Sequence, residues 1–174
     1  MTRRNASTAS AAELQLRLAC EICGERPRFV ERCVREWFQE RPLRHLKRSL
    51  HPNLVDLLAQ AKRQGIRLGI LSDYPAKEKL AALGIGEYFD AVVSSQDREV
   101  GLLKPHPRGL LNCVQRLDVE PGRCIYIGDR VDVDLPCAMN ARTRFVLFGN
   151  APIPAHCKAV SSYRQLIDTL GFET

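Results

Sequence analysis

The sequence predicts an α/β protein: a Rossmann-like three-layer core around a parallel sheet, preceded by a small N-terminal helical segment. From Pro52 onward, short apolar runs alternate with helical patterns, as in chains whose strands are joined by helices. The runs are apolar throughout, which is typical of strands buried on both faces. The first fifty residues show helical patterns only. We therefore expect a disordered N-terminus over residues 1–10, a helical segment over 11–50 and the α/β core over 51–174.

Length and composition fit a globular protein. The 174 residues suffice for one buried core, and no apolar run is long enough to cross a membrane. The formal net charge of +6 is concentrated in residues 1–50. A basic surface attracts a phosphorylated substrate, a nucleic acid or an acidic partner, or is simply a solvated helical face. Aromatic residues are only 6% of the chain, which argues against nucleic-acid binding by stacking.

The cysteines indicate where the protein resides. Seven are scattered along the chain, an odd number, and several stand inside apolar runs. This distribution favours reduced thiols in a cytoplasmic protein over a disulfide framework. Cys20 and Cys23 form a Cys-x-x-Cys pair. The pair is either half of a zinc or redox site, or two cysteines on one helical face, and the absence of a second such pair favours the latter.

The N-terminal segment is predicted to form three helices. Ser10 and Glu13 make a capping box that opens a helix to about Cys23, with Gly24 as its stop. A second helix begins at Pro27, and a shorter one covers residues 43–50. We interpret Trp37 and Phe38 of the second helix as core anchors rather than a binding platform. They belong to one apolar stripe: Phe29, Val30, Cys33, Val34, Trp37 and Phe38.

The core is predicted to alternate helices and strands. Helices are expected at 53–64, 75–83, 107–117, 135–141 and 162–170, and strands at 66–71, 91–93, 124–127 and 144–148. Gly65 and Gly84 stop the first two of these helices.

Polar residues follow two of the predicted strands. Ser72 and Asp73 come after Leu71, and the segment 128–134 comes after Ile127. Lys104 lies in a loop between them. Since the carboxyl ends of parallel strands meet at one edge of a sheet, we expect these residues to converge there.

The residue types suit phosphoryl chemistry. Ser72 can donate a hydrogen bond to a phosphoryl oxygen, and Lys104 can balance its charge. Asp129 offers the oxygen that Mg²⁺ prefers, Asp134 can orient the ion's waters, and Gly128 lets backbone approach closely. Taken singly, each residue is also an ordinary turn or helix-cap residue. Arg130 can contact a phosphate or simply pair with Asp132.

At these residues the sequence resembles the haloacid dehalogenase (HAD) superfamily. Ile70-Leu71-Ser72 is similar to its second motif, Lys104-Pro105-His106-Pro107 to its third, and Gly128-Asp129 through Asp134 to its fourth. The match covers about Pro52 to Leu170. Residues 11–50 resemble the small helical cap that many members carry and that largely decides the substrate.

The resemblance implies a Mg²⁺-dependent phosphohydrolase, of phosphomonoester phosphatase type, acting on a small phosphorylated substrate. It implies a catalytic role for Ser72 and Lys104, and substrate binding by Asp73, Gly128 and Arg130. Asp129 and Asp134 then serve the metal. In the family an aspartate attacks the phosphorus and a second aspartate two residues later acts as acid and base.

The first motif of the family, an apolar strand followed by Asp-x-Asp, finds no match ahead of the cap-like segment. The first fifty residues contain no aspartate, and the sole Asp-x-Asp, Asp132-Val133-Asp134, already belongs to the fourth motif. We therefore expect the chain alone to be inactive and to bind Mg²⁺ weakly. The chain is then a truncated product, a product of a misassigned start codon, one half of a split enzyme completed by another chain, or a non-catalytic protein that binds a partner through an exposed strand edge.

Overall fold

The computed structural model describes residues 9–171, so most of the segment expected to be disordered lies outside the described residues. Eight α-helices and five strands follow one another in the described part of the chain. The helices are α1 (Ala11–Cys23), α2 (Pro27–Val34), α3 (Leu43–Leu46), α4 (Leu54–Arg63), α5 (Lys77–Leu83), α6 (Arg108–Arg116), α7 (Asp134–Asn140) and α8 (Tyr163–Leu170). The strands are β1 (Gly69–Ser72), β2 (Ala91–Ser94), β3 (Ile125–Gly128), β4 (Arg144–Phe148) and β5 (Lys158–Val160).

All strand pairs are parallel, as predicted, but they form two separate sheets. One sheet holds β1 and β2, and the other holds β3, β4 and β5 in that order. Within residues 9–171, neither β1 nor β3 has a hydrogen-bonded strand on its second side.

Helices cover the two sheets from both faces and make the three-layer arrangement. On one face, α6 and α7 pack together through Leu110, Val114, Cys137 and Ala141, and side chains from both sheets reach this cluster. On the other face lies α4, where Leu58 packs with the β1–β2 side and the adjacent Leu57 packs with the side of β4, β5 and α8. The two sheets therefore share the same helical layers.

The helix ends follow the local signals in the sequence. Ser10 accepts a hydrogen bond from the Glu13 backbone while the Glu13 carboxylate accepts one from the Ser10 backbone, which completes the predicted capping box of α1. Gly24 ends the helix with a φ of 70°, a left-handed conformation that glycine adopts without steric cost. The start of α1 lies against the loop that carries Lys104, where the Ala11 backbone N–H donates to the Gly101 carbonyl at 3.0 Å.

Several details of the prediction are corrected. Strand β1 begins at Gly69 rather than at residue 66, and β5 was not predicted. A π-helical turn, Arg35–Glu40, follows α2. Trp37 and Phe38, expected to be core anchors, lie in this turn and are 54% and 71% exposed. Of the six residues of the apolar stripe only Val30 is buried.

No helix among residues 9–171 is both long and apolar enough to span a bilayer.

Candidate active site at the carboxyl rim of the two sheets

The candidate site is the edge at which β1 and β3 end, which we call the carboxyl rim. Asp73 directly follows β1, and the loop after β3 leads to Asp134 at the first position of α7. Lys104 reaches both from its loop. Its ammonium lies 2.8 Å from an Asp134 carboxylate oxygen and 3.7 Å from an oxygen of Asp73. The sequence thus correctly predicts that residues following two different strands converge.

Asp134 is the most fully engaged group of the rim. Its side chain is 1% exposed. One carboxylate oxygen accepts hydrogen bonds from Lys104 Nζ and from the Tyr126 hydroxyl at 2.9 Å. The other accepts from the backbone N–H groups of Asp129 and Arg130, at 3.1 and 3.0 Å. Both oxygens are therefore committed to holding the lysine and the loop after β3.

Glycine at position 128 makes this arrangement possible. A Cβ atom there would lie 2.6 Å from the Asp134 carboxylate, closer than any real side chain could be. The sequence interpretation gave Gly128 the task of letting backbone approach a substrate. In the structure, the space that it leaves is filled by the Asp134 side chain.

The buried contacts shift the ionisation of the pair. Burial by itself raises the pKa of Asp134, but the hydrogen bonds from Lys104, the Arg130 backbone and Tyr126 outweigh it and bring this pKa below its usual value. Burial likewise acts to lower the pKa of Lys104, and the hydrogen bond and charge of Asp134, with the charge of Asp73, raise it above its usual value. The pair is therefore held as carboxylate and ammonium.

Asp73 has a second set of partners that the sequence interpretation missed. Its carboxylate accepts from the Ser95 hydroxyl at 3.1 Å and from the Lys104 backbone N–H at 3.4 Å. Ser95 is 1% exposed and directly follows β2. The signal was in the sequence, because Ser94 and Ser95 follow the apolar run 91–93 as Ser72 and Asp73 follow Leu71.

Tyr126 is the other contributor that sequence reasoning missed. Its hydroxyl is buried against Asp134, and burial, together with the neighbouring carboxylate, raises the pKa of the phenol. The signal is a single hydroxyl group inside an otherwise apolar strand. A buried tyrosine hydroxyl usually finds a hydrogen-bond partner.

The remaining rim residues differ in whether their side chains already have partners. The Ser72 oxygen accepts a hydrogen bond from the Tyr74 backbone at 3.2 Å, so its proton remains available for donation. The Asp129 side chain is exposed and makes no hydrogen bond within residues 9–171. Arg130 instead pairs with Asp132 at 2.7 Å on the exposed side of the loop, which was one of the two alternatives left open.

A Mg²⁺ ion at the rim would find few protein ligands among residues 9–171. Mg²⁺ is held by oxygen ligands, usually one or two carboxylates together with waters and substrate phosphates. Asp129 offers a carboxylate, whereas both oxygens of Asp134 are taken by hydrogen bonds. In residues 9–171, no three His, Cys, Asp or Glu side chains are grouped so that they could hold a metal ion.

Cys20 and Cys23 lie away from these residues, in the last turn of α1. Desolvation and the neighbouring thiol of Cys23 raise the pKa of Cys20, which opposes the thiolate that metal binding and redox exchange need. The interpretation as two cysteines on one helix therefore fits the structure better than a zinc or redox pair.

A three-layer α/β sandwich with a lysine and carboxylates gathered at the carboxyl ends of its parallel strands defines a Rossmann-like enzyme core. The sequence matches the family model described as haloacid dehalogenase-like hydrolase over residues 7–142. The chain belongs to the haloacid dehalogenase-like hydrolase family.

Named relatives and solved structures agree with this assignment. The chain is 37% identical over 94 residues to glyceraldehyde 3-phosphate phosphatase of Methanopyrus kandleri, a match covering 52% of this chain and 40% of that protein. It is 28% identical to human N-acylneuraminate-9-phosphatase, over 78% of this chain and 54% of the relative. The crystal structure of a HAD phosphatase from Thermococcus onnurineus superposes with a TM-score of 0.65 and 28% identity, over 71% of this chain and 59% of that one. The chain thus spans about half the length of these curated relatives.

Proposed function

We propose that this chain is the main part of a Mg²⁺-dependent phosphomonoester phosphatase that acts on a small phosphorylated substrate. The observation that carries this proposal is the position of the Lys104 ammonium between Asp73 and Asp134. The Asp129 carboxylate lies on the loop that leads from β3 to Asp134 and makes no hydrogen bond within residues 9–171. The two relatives compared above are named as phosphatases of small phosphorylated compounds, which supports a phosphomonoester as substrate.

The charge of the rim supports a role for a divalent cation. The Lys104 ammonium contacts two carboxylates, those of Asp73 and Asp134, and the loop after β3 adds the exposed carboxylate of Asp129. A phosphomonoester dianion would be repelled by this excess of negative charge unless a cation bound with it. We propose that Asp129 contributes a ligand to Mg²⁺, which would supply the charge neutralisation, and that waters, the phosphate and a further protein segment complete its ligands.

The other rim residues have distinct proposed roles. Ser72 donates its hydroxyl proton to a phosphoryl oxygen, and Lys104 offsets the charge of the phosphoryl group. Asp134 acts through Lys104 and through the loop after β3, as a positioning residue. Asp73, Gly128 and Arg130 remain proposed substrate-binding residues; of these, Arg130 must release Asp132 before it can contact a phosphate.

We propose that this chain is inactive by itself. The Asp-x-Asp at 132–134 lies in the turn before α7, and the side chain of its second aspartate is consumed by four hydrogen bonds. We propose that the nucleophile comes from a segment outside residues 9–171. Residues 11–50, as a cap-like segment, would select the substrate, and residues 51–174 would form the core.

A second candidate is a non-catalytic protein that binds a partner chain. The observation that favours it is the separation of the strands into two sheets, which leaves edge strands at β1 and β3 beside the rim. In this candidate, a partner chain binds at the edges of β1 and β3, and the carboxyl rim carries out no reaction.

Binding and turnover separate the two candidates. We expect no hydrolysis of p-nitrophenyl phosphate by the purified chain, with or without Mg²⁺. We expect inorganic phosphate to bind weakly in calorimetry, only with Mg²⁺ present, and to lose this binding in Asp129→Asn. Asp132→Asn removes a neighbouring exposed carboxylate and releases Arg130; it is the matched control and should retain or strengthen binding. Absence of Mg²⁺-dependent phosphate binding in the folded parent chain would overturn the phosphatase proposal in favour of the second candidate.

A further inference from the structure

The cap-like segment contains a charged cleft that the proposed function does not use. Its walls come from α2, the π-helical turn and α3, and its volume is about 590 Å³. Four arginines and two glutamates line it, which leaves an excess of positive charge: Arg32, Arg35, Glu36, Glu40, Arg41 and Arg44. Within residues 9–171, the ion pairs of these side chains join them to one another and not to the residues of the carboxyl rim. We call this feature the arginine cleft.

The π-helical turn brings the charges of the arginine cleft together. Both ion pairs, Arg35 with Glu40 and Glu36 with Arg41, join residues five positions apart. In an α-helix, side chains at that spacing point about 140° away from each other. A π-helical turn is closed by a hydrogen bond across five residues, which places such side chains on the same side. The Arg41 backbone N–H makes this bond to the Glu36 carbonyl at 2.9 Å. Turns of this kind are rare and are frequently found at functional sites.

Two arginines of the cleft are held over aromatic rings. The guanidinium carbon of Arg41 lies 3.8 Å from the centre of the Trp37 ring, and that of Arg32 lies 5.3 Å from the centre of the Phe29 ring. Stacking on an aromatic ring restricts the guanidinium before any ligand arrives. An arginine that is already oriented loses less freedom when it forms hydrogen bonds to an anion. These contacts distinguish the cleft from a surface of freely moving arginines.

Part of the positive charge is available to a ligand. Arg32 and Arg44 form no ion pair within residues 9–171. The nitrogen and oxygen of the Arg35–Glu40 pair are 3.6 Å apart, and the two side chains are 61% and 63% exposed. An exposed ion pair of this kind contributes little to stability, so a stronger anion can replace the glutamate. Three guanidinium groups can therefore turn to one ligand.

We propose that the arginine cleft binds a small molecule carrying two adjacent phosphate groups, with Arg32, Arg35 and Arg44 as its protein ligands. The planar fork of a guanidinium group matches the oxygens of a phosphate group and forms two parallel hydrogen bonds. Three such forks need more oxygens than a single phosphate group presents. A cleft of several hundred cubic ångströms is of the size that holds small ligands.

Phosphate groups suit the cleft better than carboxylates. Two glutamates already supply carboxylates here, so the exchange of Glu40 for another carboxylate would leave the electrostatic energy nearly unchanged. A diphosphate carries more negative charge in the same space, and the excess of arginines favours it. Because arginines provide the positive charge, binding in the cleft needs no metal ion. The inference is therefore independent of the proposed function.

Trp37 gives the test a local readout, because it is the sole tryptophan of the chain and its ring lies beneath the Arg41 guanidinium. The purified chain is titrated with inorganic pyrophosphate in the presence of EDTA, so that no Mg²⁺ reaches the carboxyl rim. Tryptophan fluorescence and calorimetry are followed together. We expect a saturable change in fluorescence and one pyrophosphate bound per chain.

Paired variants with equal charge locate the binding. The double variant Arg32→Gln, Arg44→Gln should lower the affinity for pyrophosphate by about tenfold or more, because it removes two charged donors. The matched control is Arg28→Gln, Arg63→Gln, which removes the same charge from exposed arginines that do not line the cleft, and it should retain the parent affinity. Circular dichroism verifies that both variants are folded.

Four outcomes would overturn the site. Absence of saturable pyrophosphate binding to the folded parent chain would mean that the cleft takes up no such ligand. An equal loss of affinity in both double variants would mean diffuse attraction to a basic surface. An affinity for citrate equal to that for pyrophosphate would contradict the preference for phosphate groups. Loss of the binding in Asp129→Asn would place the ligand at the carboxyl rim. Failure here leaves Mg²⁺-dependent phosphate binding, which tests the proposed function, as a separate result.

Discussion

The Lys104 ammonium and the Asp134 carboxylate form a buried ion pair at 2.8 Å that ties the loop after β2 to the start of α7. The two residues are thirty positions apart in the sequence. Lys104 follows the sheet of β1 and β2, and Asp134 follows β3 of the second sheet. With no strand joining β1 to β3 within residues 9–171, this contact is a main polar link across the rim.

Removal of the ammonium should destabilise the chain strongly. Lys104→Met leaves the Asp134 carboxylate buried without its counter-charge, and breaking a buried pair in this way costs about 3 kcal/mol. Urea denaturation followed by circular dichroism measures the loss. Arg130→Met, which breaks the exposed pair with Asp132, is the control and should leave the midpoint nearly unchanged. Equal effects of the two substitutions would contradict the structural importance of the buried pair.

Stability should depend on pH through Asp134. Because its pKa is lower in the folded chain than in the unfolded chain, the unfolded state takes up a proton first as the pH falls. The stabilisation from the carboxylate is fully present above its ordinary pKa of about 4 and is lost as the pH falls through the lower folded value. The difference in unfolding free energy between the parent and Asp134→Asn should therefore narrow as the pH falls below about 5.

The control for this pH series is Asp118→Asn, which removes one carboxylate whose side chain is 99% exposed. Its unfolding free energy should run parallel to that of the parent chain over the same range. A constant difference in unfolding free energy between the parent and Asp134→Asn across the whole pH series would show that titration of Asp134 does not cause the pH dependence.

A methyl group at position 128 should disturb the rim. In Gly128→Ala the new Cβ would meet Asp134 at 2.6 Å, and relief of that overlap requires the carboxylate to leave its four donors. We expect a loss of about 1–3 kcal/mol, as for overpacked cores. Gly122→Ala is the matched control, because a Cβ there meets nothing within 4 Å. Thermal unfolding of the two variants measures the contrast.

Leucines of the two parts of the chain should differ in their contribution to stability. Leu166 of α8 is fully buried, and Leu166→Ala should cost about 3 kcal/mol. Leu18 of α1 is 55% exposed, and Leu18→Ala should change the unfolding free energy little. A large loss of unfolding free energy for Leu18→Ala would mean that Leu18 is covered in solution by self-association, which sedimentation would detect.

The sequence predicted most of the helices and the convergence of the rim because both depend on local signals. The capping box at Ser10 and the stops at Gly24 and Gly84 are encoded within a few residues. The rim residues were found because parallel strands end on one side. The short strand β5 was missed, since Lys158-Ala159-Val160 has no apolar run and its pairing to β4 is set by the tertiary fold.

The features that sequence could not provide are those set by packing. The periodicity of Phe29 to Phe38 shows an apolar stripe but not whether anything covers it, and in the structure most of it is open. Likewise, the sequence does not reveal that the Tyr126 hydroxyl meets the Asp134 carboxylate, because that contact forms only when β3 and α7 fold against each other.

The attachment of α1 to the loop at Gly101 has a mechanical consequence. The Gly101 carbonyl that holds the first turn of the helix stands three residues before the rim lysine, and Gln15 from the same helix reaches side chains beyond the ends of both β1 and β2. The first turns of α1 are therefore held by the same loop that positions Lys104. We expect a change in how α1 packs to alter the position of that ammonium as well.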